Sequence, residues 1–303
     1  MIAPSPLRVA HFSDLHVSTP TIRLSATDWM GKRSAGWLNS AFGRGKTFRE
    51  APGITHALAN DLRARQPDLT IFSGDATVLG MADEYAAVRL ALEPALDLPG
   101  IAVPGNHDHY TYQTVRRKLF ETTFAYWLDG ERVGGHPYPF ARKVGDYWFV
   151  AVNSSVPNVV LFDSRGGVGK AQRARLEELL ARLPPGPRIM VTHYPLVLAN
   201  GRSEKHWRRM RDAKKVRAVA VAGGVSLWLH GHRHSTYHRP AEKRRPFPTI
   251  CPGSVTQAHR WTYHEYVFTG SRVDLLRRVW TPEEGQFTDG ERFTLTMREG
   301  VGV

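Results

Sequence analysis

Short apolar runs and helical periodicity alternate along the first third of the chain. Arg8-Val9-Ala10-His11-Phe12, Leu69-Thr70-Ile71-Phe72 and Ile101-Ala102-Val103 each read as a strand. Thr55 to Arg65 has Ala57, Leu58, Ala59 and Leu62 on one side, and Asp83 to Leu96 has Tyr85, Val88, Leu92 and Leu96. Both spacings predict helices, closed by Gln66-Pro67-Asp68 and Pro99-Gly100. Strand, helix, strand, helix, strand is the order of parallel βαβ units.

Further on, Thr114 to Phe124 predicts a basic helix. Pro139 to Val144 and Tyr147 to Val152 predict two strands joined at Gly145-Asp146, a hairpin signal. Asn153 to Gly169 is a long polar, glycine-bearing loop expected near the site. Gln172 to Leu183 is an amphipathic helix, and Arg188 to Val191 and Leu227 to Leu229 are strands. Thr249 to Ser254 reads as strand then turn. Tyr263 to Thr269 and Arg272 to Val279 form a hairpin about Gly270-Ser271, with one further strand expected over Phe293 to Met297. No repeat, low-complexity tract or linker interrupts the chain. The expectation is one domain over 1–303, with an insert at 19–50 and a C-terminal β-hairpin extension at 263–303.

Composition narrows the class. At 303 residues with 42% hydrophobic and 23% charged residues, the chain can bury a sizeable core. The single cysteine, Cys251, excludes an intrachain disulfide framework and a multi-cysteine zinc site. Met1 to Leu7 lacks the basic and apolar regions of a secretory signal. Ala218 to Leu229 is too short to span a bilayer. The expected location is cytoplasmic, with a peripheral contact on the inner membrane face. A net charge of +13 attracts polyanions or an anionic membrane surface. Within the insert, Trp29 to Arg49 carries five basic residues and no acidic one, mixed with Trp37, Leu38 and Phe42. Such a mixture suits an interface or a lipid-like anion, or a helix that packs its aromatics onto the domain. Arg202 to Arg217 has eight basic and two acidic residues, read either as a solvated helix face or as a positive rim over the site.

Five of the predicted strands share one property: metal-type ligands follow them. Ser13-Asp14-Leu15-His16 follows the first, Ser73-Gly74-Asp75 the second and Pro104-Gly105-Asn106-His107-Asp108 the third. Thr192-His193 and His230-Gly231-His232-Arg233-His234 follow later ones. Asp14 and His16, two apart on an extended segment, are expected to point the same way. Seven candidates result: Asp14, His16, Asp75, Asn106, His193, His232 and His234. Carboxylate, imidazole and amide donors without thiolate suit Mn, Fe, Co or Zn. Seven are too many for one ion and suit two that share a carboxylate, the arrangement that serves in-line displacement at phosphorus.

Asp14-x-His16, Gly74-Asp75, Gly105-Asn106-His107-Asp108, Thr192-His193 and Gly231-His232-x-His234, in this order, resemble the calcineurin-like metallophosphoesterase superfamily over about residues 7–260. The resemblance implies an α/β fold, a four-layer αββα sandwich of two mixed β-sheets flanked by helices. It implies that Asp14, His16 and His234 hold one divalent ion, that Asn106, His193 and His232 hold the other, and that Asp75 bridges them. Manganese is the expected metal. A metal-bridging hydroxide would attack phosphorus, His107 would meet the phosphate, and Asp108 would orient His107. Where many relatives carry a second acidic residue after Gly-Asp, Val78 stands here, so Thr77 is the expected orienting group for Asp75.

The run Lys32-Arg33-Ser34-Ala35-Gly36-Trp37-Leu38-Asn39 resembles the bacterial branch that hydrolyses UDP-2,3-diacylglucosamine at its pyrophosphate in lipid A biosynthesis. That resemblance makes Lys32, Arg33, Trp37 and Asn39, together with Arg233, the candidate substrate contacts. The first expectation is therefore a pyrophosphatase acting on a lipid-linked sugar nucleotide. The enzyme alternative is a soluble phosphodiesterase for cyclic nucleotides or glycerophosphodiesters. The non-enzyme alternative, a basic nucleic-acid-binding protein, is disfavoured by the intact ligand set, and no obligate nucleic acid is expected.

Overall fold

The computed structural model describes residues 6–19, 24–25, 28, 31–42, 44–160 and 162–298, with backbone alone at 39–42 and 44. Trp29 and Met30, and the side chains of Asn39 and Phe42, lie outside the described residues.

Two mixed sheets stack face to face. The first carries β1 (Leu7–Phe12), β2 (Leu69–Phe72) and β3 (Gly100–Ala102) side by side and parallel, as the alternating pattern predicts. The second begins with β4 (Glu131–Arg132), β5 (Phe140–Val144) and β6 (Tyr147–Ala151). It continues through β7 (Arg188–Val191), β8 (Val225–Leu229), β9 (Thr236–Arg239) and β10 (Thr249–Pro252). Its order is β4-β5-β6-β7-β8-β10-β9, with β6, β7, β8 and β10 parallel. The chain then returns to the first sheet as β11 (Thr262–Thr269), β12 (Arg272–Thr281) and β13 (Gln286–Thr296). Strand β11 pairs antiparallel with β1, which gives the order β13-β12-β11-β1-β2-β3.

Helix α1 (Lys32–Phe42) lies in the insert. Helices α2 (Ala51–Arg65) and α3 (Ala82–Leu92) connect the parallel strands. The single helix expected from Thr114 is two short ones, α4 (Tyr112–Arg116) and α5 (Leu119–Thr123), divided by Lys118 at φ 50°. Helices α6 (Lys170–Arg182) and α7 (Ala213–Ala222) pack on the second sheet. Of the basic run 202–217, only the last part is in α7.

Strand alternation explains the layers. In β6, Tyr147, Phe149 and Ala151 enter the core between the sheets, while Trp148 and Val150 face α6 and α7. In β7, Ile189 and Val191 turn inward and Met190 outward. Residues Leu58 and Leu62 of α2 and Val88 and Leu92 of α3 join the first cluster. The second sheet thus buries both faces, one on the other sheet and one on its helices, and apolar burial at about 25 cal/mol per Å² is the main driving term.

Glu84, in the first turn of α3, is buried and accepts hydrogen bonds from the backbone N–H groups of Val78 (3.3 Å), Leu79 (2.9 Å) and Met81 (3.0 Å). Burial pushes its carboxyl up to about 7 against these bonds. Glu84→Ala would leave three amides without this acceptor. We expect a loss of about 3 kcal/mol in denaturant unfolding, with a residual effect under 1 kcal/mol arguing that water replaces the carboxylate.

Candidate dinuclear metal centre

The strand ends of both sheets deliver polar side chains to one edge of the sandwich. Asp14 and His16 come after β1, Asp75 after β2, Asn106 after β3, His193 after β7, and His232 and His234 after β8. All seven converge in two groups.

In one group, His234 Nε2 is 3.1 Å from Asp14 Oδ1 and 3.1 Å from His16 Nε2. His16 Nε2 is 3.7 Å from Asp14 Oδ1 and 3.6 Å from Asp75 Oδ2. Asp14, His16, Asp75 and His234 each offer a ligand atom within 4.8 Å of the others. In the other group, His193 Nε2 lies 3.3 Å from Asp75 Oδ2, 3.3 Å from Asn106 Oδ1 and 3.2 Å from His232 Nδ1. His232 Nδ1 is also 3.1 Å from Asn106 Oδ1. Asp75 Oδ2 therefore belongs to both groups.

This arrangement fits cations. Asp14 Oδ1 is buried and, among the described residues, meets only the imidazole nitrogens of His234 and His16, with no well-aligned hydrogen bond. Imidazole nitrogens face one another in pairs, and only one proton can lie between two of them. A divalent ion in each group would take both lone pairs and the carboxylate charge.

The convergence has a different cause from the one expected. Asp14 and His16 are not in extended backbone; they lie past the end of β1 at φ 57° and 45°. Asp75, His232 and His234 are also left-handed, at 62°, 72° and 54°. Such backbone is costly for residues with a Cβ and persists where the surroundings hold it. Here Asp14 N–H donates to Gly74 O and His16 N–H to Asp75 O, which locks the two turns together. Ser254 and Thr256 donate hydroxyl bonds to the carbonyls of Asp14 and Leu15 at 2.7 and 2.6 Å. Gly105 approaches so closely that a Cβ there would lie 2.0 Å from Asp75 Oδ1.

Several supporting groups have no signature in the sequence. The Ser73 carbonyl binds His193 Nδ1 at 2.8 Å, and Gln257 Oε1 binds His234 Nδ1. The ring of Phe48, at the end of the insert, packs on His16 and His234 at centroid distances of 4.7 and 5.8 Å. Beneath the site, His11 bridges Ser73 Oγ (2.9 Å) and the Tyr266 hydroxyl (3.0 Å) in a buried polar chain.

His107 lies beside the first group, its ring edge-on to His16 at 4.7 Å and stacked on Tyr110 at 5.7 Å. The expected orienting role of Asp108 is corrected. Its carboxylate accepts from the backbone N–H of Asp75 (2.7 Å), Ala76 (2.9 Å) and Gly105 (2.8 Å), while His107 Nδ1 lies 2.6 Å from the Val78 carbonyl. Burial and the Asp75 charge push Asp108 up to about 7. Thr77 does not orient Asp75 either. Its hydroxyl bonds the His107 carbonyl and accepts from Gly80 N–H, and Asp75 Oδ1 takes the His107 N–H at 2.8 Å.

The candidate substrate contacts separate. Lys32 lies 4.6 Å over the Tyr110 ring and donates to the Asp163 carbonyl, which places it near His107. Arg33 is buried and its guanidinium is committed to Leu79 O, Gly80 O, Thr114, Asp28 and Gln113. It anchors α1, with its donors turned to these acceptors. Arg233 is paired with buried Glu204. Trp37 is half-buried, and Leu38 is exposed. The inner face of α1 is thus built on Arg33 and on Gly36, whose Cβ would meet the Tyr110 hydroxyl at 2.4 Å.

Residues 7–236 match the family described as calcineurin-like phosphoesterase, and the chain belongs to that family. A probable cyclic nucleotide phosphodiesterase of Rhodococcus erythropolis is 28% identical over 172 residues, 56% of this chain and 52% of its own. A probable glycerophosphodiester phosphodiesterase of Arcobacter nitrofigilis is 26% identical over 138 residues, 46% of this chain and 45% of its own. The chain spans about half the length of these curated relatives. Among solved structures, a dimetal phosphatase from Danio rerio superposes with a TM-score of 0.68 at 12% identity, covering 96% of this chain and 99% of the other. A purple acid phosphatase from yellow lupin gives 0.60 at 14% identity, covering 97% of this chain and 54% of the other. At such identities the likeness establishes the fold.

The electrostatics yield two expectations. Burial opposes charge on Asp75, yet His193, His107 and His16 hold its carboxyl well below the usual range. Burial likewise opposes charge on His193, but Asp75 and Asp14 lift it to about 9; burial drops His16 to about 3. In the protein alone His193 keeps its proton at neutral pH. The stability this adds is full below about 6.5 and is lost as pH rises through about 9. A metal must displace that proton, so apparent affinity should rise about tenfold per pH unit up to about 9. Calorimetry in buffers of different ionisation enthalpy should detect about one released proton; heats independent of buffer would refute this. Asp75→Ala should lose most of both metals, and full occupancy by metal analysis would refute the shared carboxylate.

Proposed function

We propose that this chain is a dinuclear-metal-dependent phosphoester hydrolase that cleaves phosphodiesters by in-line displacement at phosphorus. The observation that carries the reading is Asp75 Oδ2 lying between two sets of buried donors, with His107 beside them. Bound there, two cations would stabilise charge on the phosphoryl group and lower the pKa of an attacking water. The protein's own part is positioning and proton exchange. The Val78 carbonyl takes one ring nitrogen of His107, so exchange with the leaving oxygen falls to Nε2. Phe48 packs on His16 and His234 of the first group, and Tyr110 stacks on His107 beside them.

Phosphodiesters rank first because both curated relatives carry phosphodiesterase names. Loss of Arg33 and Arg233 as available cations weakens the case for a diphosphate, which needs more positive charge than Lys32 supplies alone. A lipid-linked sugar nucleotide such as UDP-2,3-diacylglucosamine remains the second reading, favoured by exposed Val159, Val160 and Phe162 near Lys32.

With Mn²⁺ supplied, turnover of bis-p-nitrophenyl phosphate, cyclic AMP and a glycerophosphodiester should exceed that of the lipid-linked diphosphate. The opposite ranking would reverse the two readings. His107→Ala should retain metal but lose about 10²–10⁴-fold in kcat. Near-normal turnover in that variant would remove His107 from the reaction.

A further inference from the structure

The rim of the site carries an apolar knob that catalysis at the metals does not need. Val159, Val160 and Phe162 are 77%, 58% and 82% exposed, and Trp207 beside them is 53% exposed. Aliphatic and aromatic side chains this exposed within one surface feature are unusual in a protein surrounded only by water. Hydrogen bonds hold the described residues on either side of position 161. Asp163 N–H closes a turn onto Val160 O at 3.1 Å, and Ser164 N–H donates to Trp207 O at 3.0 Å. Asn158 donates to the Arg165 carbonyl at 2.8 Å, and the Arg165 guanidinium lies 4.8 Å over the Trp207 ring.

Two contact routes join this knob to the metal centre. The Asp163 carbonyl meets Lys32, which covers Tyr110, which stacks on His107. On the other side, the Tyr194 hydroxyl bonds the Ser164 carbonyl and its ring lies 4.4 Å from that of His232. The loop that carries the knob is therefore joined through a few side chains to both groups of the centre.

Charge selects what it meets. Arg202, Lys205, Arg208 and Arg209 are exposed around Trp207. The acidic groups nearby are spent internally: Asp163 on Arg165 and Arg211, Glu204 on Arg233, and Asp212 on Arg173. The face is a convex apolar tip in a basic collar. A convex tip suits a surface that opens to admit it, and a basic collar suits anionic headgroups.

We infer that Val159, Val160, Phe162 and Trp207 insert into an anionic phospholipid bilayer, with the basic collar on the headgroups. This holds the metal centre close to the membrane and brings amphiphilic phosphodiesters within its reach beside soluble ones. The membrane contact itself is independent of the hydrolase reading; only the substrate class rests on it. It also moves the interfacial element from the aromatic insert, where α1 is docked through Arg33, to the loop opposite.

The test is co-sedimentation of the full chain with vesicles of phosphatidylcholine alone and of equimolar phosphatidylcholine and phosphatidylglycerol. Binding to the anionic vesicles, much weaker on neutral ones and reduced by salt, is expected. Val160→Asp with Phe162→Asp should lower the bound fraction about tenfold or more, as expected for losing the apolar insertion. Arg202→Ser with Arg209→Ser should lower it and flatten its salt dependence. Both double variants should turn over soluble bis-p-nitrophenyl phosphate like the wild type, because neither touches the metal centre. No sedimentation with anionic vesicles, or binding indifferent to both pairs, would overturn the inference and leave the hydrolase untouched. Absence of diester turnover in a wild type that does bind vesicles would instead overturn the hydrolase. Tight binding to duplex DNA that the arginine pair abolishes and the Val160/Phe162 pair leaves intact, without vesicle binding, would assign the face to nucleic acid.

Discussion

Everything at the site hangs on the buried Asp108 carboxylate. It gathers amides from the turn after β2 and the turn after β3, and the Tyr85 hydroxyl from α3. Hydrogen bonds to an ionised acceptor are worth roughly twice neutral ones, and these replace ladder bonds that the two strands no longer supply beyond their ends. Asp75 and Asn106 are presented by the two turns so joined. The cost is two carboxylates in one dry region. Cations at the centre would lessen that repulsion, so ionisation of Asp108 and occupancy of the site support one another.

Strain and support are distributed in the same way around the rest of the centre. Left-handed backbone at Asp14, His16, Asp75, His232 and His234 turns the side chains off the strand direction into one space. Neighbouring turns hold one another in this state: His232 N–H reaches Asp14 Oδ2 at 3.0 Å and Gly231 N–H the His193 carbonyl at 3.0 Å. Atoms from both sheets take part, so the centre also fastens one edge of the sandwich.

The ligands were legible because each follows an apolar run, and because Asp, Asn and His cluster nowhere else in that way. The parallel strands and their helices were legible from periodicity and from Pro-Gly stops. What holds the ligands was not. Val78 and Ser73 act through carbonyl oxygens, which every residue has, and Gln257 lies far from any motif. Arg33 was hard to place for a related reason: a cation beside aromatics reads as surface chemistry, but its buried guanidinium meets five neutral or acidic acceptors, three of them in the interior. Strand β9 was invisible because Thr236 to Arg239 lies at a sheet edge, where little apolar patterning is required. Strand β4 is two residues long, too short to carry a period.

The anchoring of Arg33 has a consequence for how such a scaffold can diversify. Its guanidinium grips the carbonyls of Leu79 and Gly80, next to the Val78 carbonyl that fixes His107. The segment from 19 to 50 is therefore not an interchangeable cassette. Grafting a different one from a relative would release a turn whose shape sets the pose of an imidazole at the reaction centre. A replacement segment would have to bring its own donors to the carbonyls of Leu79 and Gly80 to hold that turn.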